Sequence, residues 1–106
     1  MSTLTDQEFR VKSDEALEGA RKVLLPLADA NEFEVEFQNG VLHVVFEEPR
    51  ESKFVVSPQA PVRQIWVSAM SRSFKLTWDA DRQLFALNSE SLPDLLTRLC
   101  NDFLVS

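Results

Sequence analysis

The sequence predicts a two-layer α+β sandwich in which one helix, six antiparallel strands and a second helix follow one another within a single domain, residues 1–106. Near each terminus, apolar residues recur at helical spacing behind a capping box. Between them, short apolar runs alternate with polar residues and are joined by short turns, which is typical of an antiparallel sheet with one solvated face. Two one-sided helices can cover the other face, so the pattern predicts helices on one side of the sheet and water on the other.

The first helix is predicted to begin directly after Thr5. Thr5 and Glu8 have the spacing of a capping box, in which each side chain bonds to the backbone N–H of the other residue. The apolar stripe that follows comprises Phe9, Ser13, Ala16, Leu17, Ala20, Leu24 and Leu27. Because a proline disfavours the helical conformation of the residue before it, Pro26 predicts that this helix ends near Leu25.

A hairpin is predicted after the helix. Residues 32–37 alternate strictly between acidic and apolar side chains, which indicates a strand with one solvated face. Asn39 and Gly40 come next, and this pair favours a two-residue turn because both positions take positive φ. Such a short turn determines the register of the two strands, so Glu36 is expected opposite His43 on the solvated face.

The rest of the chain predicts a strand meander and a closing helix. The remaining strands are expected at residues 41–46, 53–57, 64–68, 73–78 and 83–87. Pro58 and Pro61 predict a turn, and Ser91 with Asp94 forms a second capping box. The closing helix has the stripe Leu92, Leu95, Leu96, Leu99 and Phe103. The predicted core comprises Phe9, Leu17, Leu24, Phe33, Val35, Phe37, Leu42, Val44, Phe46, Ile65, Val67, Phe74, Leu76, Trp78, Leu95, Leu96 and Leu99.

The composition restricts the partners and the compartment. The formal net charge is −6, and the 11 lysines and arginines are spread along the chain, so no nucleic-acid partner is expected. No apolar run reaches membrane-spanning length, so no membrane partner is expected either. The one cysteine, Cys100, cannot form an intramolecular disulfide. With no targeting pattern at the start, these features predict a cytoplasmic protein.

The sequence carries no recognisable catalytic machinery. His43 and Cys100 are the only histidine and the only cysteine, and no phosphate-binding, CxxC or HExxH motif occurs. The expectation is a protein that is not an enzyme. The 17 acidic residues nevertheless leave open a hydrolase-like or ferroxidase-like enzyme with paired carboxylates.

The first candidate site is an aromatic side chain on the solvated sheet face. Alternation places Ile65 and Val67 in the core, so Trp66 points outward together with Gln64 and Ser68. A large exposed aromatic residue on an open sheet is a frequent anchor of protein interfaces. The alternatives are that a loop covers the ring, or that the assignment of strand faces is shifted by one residue.

The second candidate site is a set of acids around the predicted hairpin. Its members are Asp29, Glu32, Glu34 and Glu36, with His43 across from the last of them. Carboxylates with an imidazole suit Fe²⁺ or Mn²⁺. Successive outward residues on a strand lie about 7 Å apart, so such a site is expected to be weak and completed by water. The alternative is a solvated face with one cross-strand charged pair.

Several stretches of the chain resemble the frataxin family. The hairpin NGVL at residues 39–42 and the stretch QAPVRQIWVS at residues 59–68 are similar to the family's central signature, an NGVL-type hairpin followed by QxPxxQ[IV]W[LV]S. Residues 6–9 resemble the opening of bacterial frataxins, and residues 91–96 resemble the start of their last helix. The resemblance covers nearly the whole chain, and its element order matches the predicted order.

The resemblance implies an iron-binding accessory protein of iron–sulfur cluster assembly that contacts a cysteine desulfurase and a scaffold protein. It implies a monomer, with iron-dependent oligomers as the alternative, and weakly bound Fe²⁺ or Fe³⁺. The partner-binding candidates are Asn39, Gln59, Arg63, Gln64, Trp66 and Ser68. The metal-ligand candidates are Asp29, Glu32, Glu34, Glu36, His43 and, in the first helix, Glu18.

The chain also departs from the family pattern. Helix positions that are usually acidic hold Arg21, Lys22, Leu25 and Pro26, and alanines replace acids at positions 28 and 30. Asp29 is expected to compensate in part for these lost acids. Gln83 stands where the sixth strand of the family often has tryptophan. These departures support a rival interpretation, a frataxin-fold adaptor with little affinity for iron.

Overall fold

The computed structural model describes residues 4–105, and it has the predicted α+β architecture. The elements in chain order are α1 (Asp6–Asn31), β1 (Glu34–Gln38), β2 (Val41–Phe46), β3 (Ser52–Gln59), a 3₁₀ turn (Ala60–Val62), β4 (Gln64–Ala69), β5 (Arg72–Asp79), β6 (Leu84–Leu87), β7 (Glu90–Ser91) and α2 (Leu92–Leu104). All strand pairs are antiparallel, and the strands lie in the sheet in sequence order. No helix among the described residues is long and apolar enough to cross a membrane.

The core fills the space between the sheet and the two helices. In β2 and β4 every second side chain is buried, as one-sided covering of a sheet requires. An aromatic cluster joins the layers: the ring of Phe46 on β2 lies 4.4 Å from the ring of Phe103 on α2. Phe9 of α1 meets Phe85 of β6 edge-on at 5.7 Å. These contacts place both helices against the same face of the sheet.

Most of the predicted core is buried, and three of its members are only half-buried. Val35 and Phe37 lie on β1, which has a neighbouring strand on one side only, and Trp78 lies near the end of β5. Edge positions have fewer atoms around them, so their side chains keep some solvent contact. Phe54 and Phe85 are fully buried although the predicted core omitted them.

The predicted end of the first helix is wrong, because α1 continues through Pro26 to Asn31. Pro26 lies on the exposed side, while Leu24 and Ala28 on either side of it are buried, so packing keeps this last part helical. The helix ends at Glu32, which has the left-handed φ of 57° and whose N–H donates to the carbonyl of Ala28. Burial of the apolar stripe therefore outweighs the local cost of a proline.

The sheet has seven strands, not the predicted six, and of the predicted strands only the one at residues 41–46 keeps both of its bounds. Gln83 has φ of 58° and lies before β6, so it does not begin that strand. The extra strand is short, and Glu90 in it forms a two-bond ion pair with Arg98 of α2, at 2.8 and 2.9 Å. This guanidinium holds the pKa of the Glu90 carboxyl below its ordinary value. The ion pair joins the last strand to the closing helix.

Pro58 also differs from expectation, since it lies within β3 and pairs with Ile65 rather than forming a turn. The pairing of β2 with β3 ends at Val56. Beyond that residue β3 has a partner strand on one side only, and a proline is compatible with such an edge position.

Candidate functional site

The predicted aromatic anchor lies on the solvated face of the sheet. Trp66 is 37% exposed, the largest exposed fraction of any aromatic side chain among residues 4–105. Its strand neighbours Ile65 and Val67 are buried, so the predicted face assignment is confirmed. No loop covers the ring completely.

Neighbouring side chains hold the Trp66 ring in place. Its Nε1–H donates to Gln64 Oε1 at 2.7 Å. On the adjacent strand, Lys75 lies directly opposite and places its Nζ 4.9 Å from the ring centroid, a cation–π contact. On the other side the opposing residue is Ser57, whose small side chain leaves the ring accessible. A ring that is both fixed and accessible loses little side-chain entropy when a partner covers it.

Two more partner-binding candidates lie near Trp66 on the same sheet. Gln59 pairs with Gln64 across β3 and β4, and its Nε2 donates to Ser57 Oγ at 3.1 Å. Ser68 follows Trp66 by two residues on the same face and is exposed. The structure thus brings four of the six candidates together on one polar surface, which we call the Trp66 face: Gln59, Gln64, Trp66 and Ser68.

The other two partner-binding candidates lie around a separate groove. Asn39, at the tip of the first hairpin with φ of 53°, and Arg63 are both among the lining of a groove of about 660 Å³. Arg63 is half-buried, and its guanidinium bonds to the carbonyls of Leu4 and Ala60 and to the carboxylate of Asp6. Arg63 therefore fastens the start of α1 to the 3₁₀ turn.

The hairpin acids adopt the predicted register. Glu36 lies opposite His43, and Glu34 lies opposite Val45. Both carboxylates are exposed, whereas the histidine is half-buried. Its Nδ1 is shielded from solvent and has no hydrogen-bond partner among the described residues. One carboxylate and one imidazole therefore share this point on the outer face.

The other metal-ligand candidates lie on α1. Asp29 is in its last turns and Glu32 is its C-cap, so the prediction that Glu32 belongs to the strand is wrong. Glu18 forms an ion pair with Arg21 at 2.8 Å, not the pair with Lys22 that the helical spacing suggests. Across residues 4–105, no three or more His, Cys, Asp or Glu side chains come together as a metal site would require.

The only cysteine of the chain, Cys100, has an unreactive thiol. Cys100 is fully buried in α2, and burial raises the pKa of its thiol to about 12. Thiolate is the form that attacks electrophiles and binds metals, so this side chain is a packing residue at neutral pH.

Sequence reasoning missed Lys75 and Ser57 as neighbours of Trp66. Both lie on the outer face, and the pairing of strands decides that they stand beside the tryptophan. They could have been predicted if the sequence had indicated how β3 pairs with β4 and how β4 pairs with β5. Their connecting turns carry no Asn-Gly pair, so the sequence offers no such register.

These features define an open-faced α+β sandwich whose solvated sheet face carries one fixed aromatic side chain. The family model described as "Frataxin-like domain" matches residues 2–105. The chain therefore belongs to the frataxin-like family. It is 28% identical over 101 residues to a protein of Bordetella petrii named "Iron-sulfur cluster assembly protein CyaY", covering 93% of this chain and 91% of that one.

Two other relatives carry the same name. The protein of Azotobacter vinelandii is 30% identical over 101 residues, covering 92% of this chain and 86% of that one. The protein of Stutzerimonas stutzeri is 35% identical over 78 residues, covering 70% and 69%. The identity therefore extends over most of each chain.

Proposed function

We propose that this chain is an accessory protein of iron–sulfur cluster assembly that acts by contacting a cysteine desulfurase and its scaffold protein through the Trp66 face. The observation that carries the proposal is an exposed, fixed tryptophan on the open sheet of a frataxin-like domain. The names of its relatives supply the process. In this role the protein is not an enzyme, and it works as a cytoplasmic monomer.

The chemistry of the Trp66 face suits a protein partner. Aromatic side chains contribute much of the binding energy of interfaces when a polar rim surrounds them and excludes water. Here the rim is formed by Gln59, Gln64 and Ser68, with Lys75 stacked on the ring. The amide groups can exchange their hydrogen bonds with a partner without burying a charge.

The test is the replacement Trp66→Ala, measured for affinity to the purified desulfurase–scaffold complex. We expect at least a tenfold loss of affinity, about 1.4 kcal/mol, with a melting temperature within a few degrees of the parent. Val23→Ala is the matched control, because Val23 is a 50% exposed apolar residue on α1 and away from the sheet face. Unchanged affinity in Trp66→Ala would refute the proposal.

Iron is the second part of the proposal, as a weakly held ion on the outer face of β1. Glu36 and His43 face each other there, and Glu34 lies two residues along the same strand. Two opposed ligands leave most of the coordination shell to water, so affinity is expected to be micromolar at best, on the order of −8 kcal/mol. Asp29, Glu32 and Glu18 would contribute charge from the helix and not a complete ligand set.

The adaptor without iron is the second candidate function. The observation that favours it is that no group of three possible ligands occurs within residues 4–105. Arg21 and Lys22 also favour the adaptor, because they occupy positions of α1 that are usually acidic in the family.

An anaerobic Fe²⁺ titration separates the two functions. We expect Glu34→Gln/Glu36→Gln to abolish saturable binding. We expect Asp14→Asn/Glu18→Gln, which removes the same charge from α1, to weaken binding only slightly, because Glu18 adds charge and not a direct ligand. The reverse result would place the ion on the helix. Absence of saturable binding in the parent protein would favour the adaptor, and iron turnover without a partner would favour the ferroxidase-like enzyme.

A further inference from the structure

Two hairpins of the sheet end in turns of the same length and backbone, and each turn begins with an asparagine. The turn of the first hairpin is Asn39-Gly40, and the turn of the last is Asn88-Ser89. All four residues have positive φ, of 53° and 76° in the first turn and of 50° and 70° in the last. Both asparagines are exposed. The two turns therefore differ mainly in the residue that follows the asparagine.

Asparagine is a chemically labile residue, and a glycine after it permits one particular reaction. The backbone nitrogen of Gly40 attacks Cγ of Asn39 and forms a five-membered imide ring. The bond between Cγ and the side-chain nitrogen breaks, and that nitrogen leaves as ammonia with the proton of the Gly40 N–H. Water then opens the ring at one of its two carbonyls. The product at position 39 is aspartate or isoaspartate, and no oxidant or reductant is needed.

The groups that react are open in the first turn. The Gly40 N–H and the Asn39 side-chain amide form no hydrogen bond within residues 4–105. A Cβ built on Gly40 would meet no atom within 4 Å, so nothing shields the backbone nitrogen. In the last turn Ser89 carries a side chain beside its nitrogen, and its carbonyl accepts a bond from the Arg82 guanidinium at 2.9 Å. The first turn is thus the more reactive of the two.

The fold delays the reaction, because the left-handed backbone of Asn39 does not have the geometry of the imide ring. The tip of the hairpin has to open before the ring closes, and such local opening costs less than global unfolding. The last hairpin should open more readily, since β7 has two residues and β1 has five. Opening alone would therefore favour reaction at Asn88, whereas the following residue favours Asn39.

We propose that Asn39 is a site of spontaneous covalent modification, at which the folded protein slowly acquires aspartate and isoaspartate. Isoaspartate adds one carbon atom to the main chain inside a turn whose length sets the register of β1 and β2. Both products place a carboxylate at the groove of about 660 Å³ that Asn39 lines. An aged molecule would thus differ from a new one in the charge and shape of this end of the sheet. The modification does not depend on the function proposed above.

The experiment follows each asparagine by peptide mapping with mass spectrometry while the intact protein is incubated at pH 8 and 37 °C. A gain of about 1 Da marks the reaction, and fragment ions that contain the extra main-chain carbon identify isoaspartate. We expect Asn39 to react about tenfold faster than Asn88 or more, because glycine has no Cβ to hinder the attack. A synthetic peptide of residues 36–43 should react faster still, since no hairpin restrains it.

Two outcomes of this incubation would overturn the proposal. One is a native protein that keeps Asn39 unchanged after the peptide has reacted completely. The other is reaction of Asn88 at the same rate as Asn39.

Variants of the following residue isolate its effect. Ser89→Gly is expected to raise the rate at Asn88 by about tenfold or more, because it gives the last turn the sequence of the first. This variant is the decisive one, since glycine relaxes a turn with positive φ and leaves the hairpin folded. Asn39→Gln keeps a side-chain amide and is expected to stay unmodified. An unchanged rate at Asn88 in Ser89→Gly would show that the glycine does not determine the site.

Discussion

The two faces of β4 serve different purposes: the inner face packs in the core, and the outer face presents Trp66 to the solvent. Ile65 and Val67 are 0% and 1% exposed and belong to the core, while Trp66 between them is 37% exposed. One strand thus presents an aliphatic surface to the helices and an aromatic one to the solvent. The difference teaches that a large apolar residue indicates a binding function only when the register places it on the uncovered face.

The outer face itself is divided in the same way. Its edge strand β1 presents the carboxylates of Glu34 and Glu36, and its centre presents Trp66 with Lys75. Charges at an edge suit a weakly held cation and also discourage edge-to-edge association of sheets. The aromatic centre suits a protein surface. Position in the sheet, more than residue type, separates the two proposed roles.

The sharpest test of the two faces compares neighbouring substitutions on β4. Ile65→Ala should lower the free energy of unfolding by about 2–5 kcal/mol, because it removes a fully buried side chain and leaves a cavity. Trp66→Ala should lower it by less than Ile65→Ala does, because the Trp66 ring borders the solvent and its removal leaves no enclosed cavity. Urea denaturation measures both. Equal losses for the two variants would show that Trp66 belongs to the core.

The helix layer offers a test through Cys100. Burial raises the pKa of its thiol from 9.0 to about 12. As pH rises, this thiol therefore ionises at a lower pH in the unfolded chain than in the folded protein. The contribution of this residue to stability is therefore complete below pH 9 and is lost as pH rises towards 12. Chemical unfolding at a series of alkaline pH values should show this loss.

The matched variant for that test is Cys100→Ala, which should lack this part of the alkaline dependence. In the native parent protein, alkylation by iodoacetamide at pH 8 should be very slow and should become fast in denaturant. Rapid alkylation of the native protein would contradict the burial of the thiol.

The smallest expected effect is a gain at Gly19, inside α1. A Cβ built at this position meets no atom within 4 Å, so alanine fits without a clash. Gly19→Ala should raise the free energy of unfolding by about 0.5–1 kcal/mol, because glycine loses the most backbone entropy in a helix. Thermal or urea denaturation measures the gain. Gly40→Ala is the contrasting variant: its site is equally open, but its φ of 76° should make alanine destabilising.

The first hairpin shows how much local sequence can predict. The Asn39-Gly40 turn leaves one register, and the observed pair of Glu36 with His43 is the predicted one. The Thr5 capping box is also as predicted, with Glu8 N–H donating to Thr5 Oγ1 at 3.1 Å. In both cases residues close in the chain make the deciding contacts.

The surroundings of Trp66 show what local sequence leaves open. Ser57 and Lys75 stand beside the ring only because β3 and β5 pair with β4. No short-range pattern links these residues. The six predicted metal ligands illustrate the converse, because nearness in the chain did not assemble them into one cluster.

The order of helices and strands, the inward and outward sides and the first hairpin follow from the sequence alone, because caps, turns and alternation act within a few residues. The passage of α1 through Pro26, the seventh strand and the neighbours of Trp66 were decided by tertiary structure. Each depends on a contact between distant segments: burial of Leu24 and Ala28 on the core, the Glu90–Arg98 ion pair, and the pairing of β4 with its two neighbours. Such contacts can outweigh local propensities, because even a proline in a helix interior costs only about 3 kcal/mol relative to alanine.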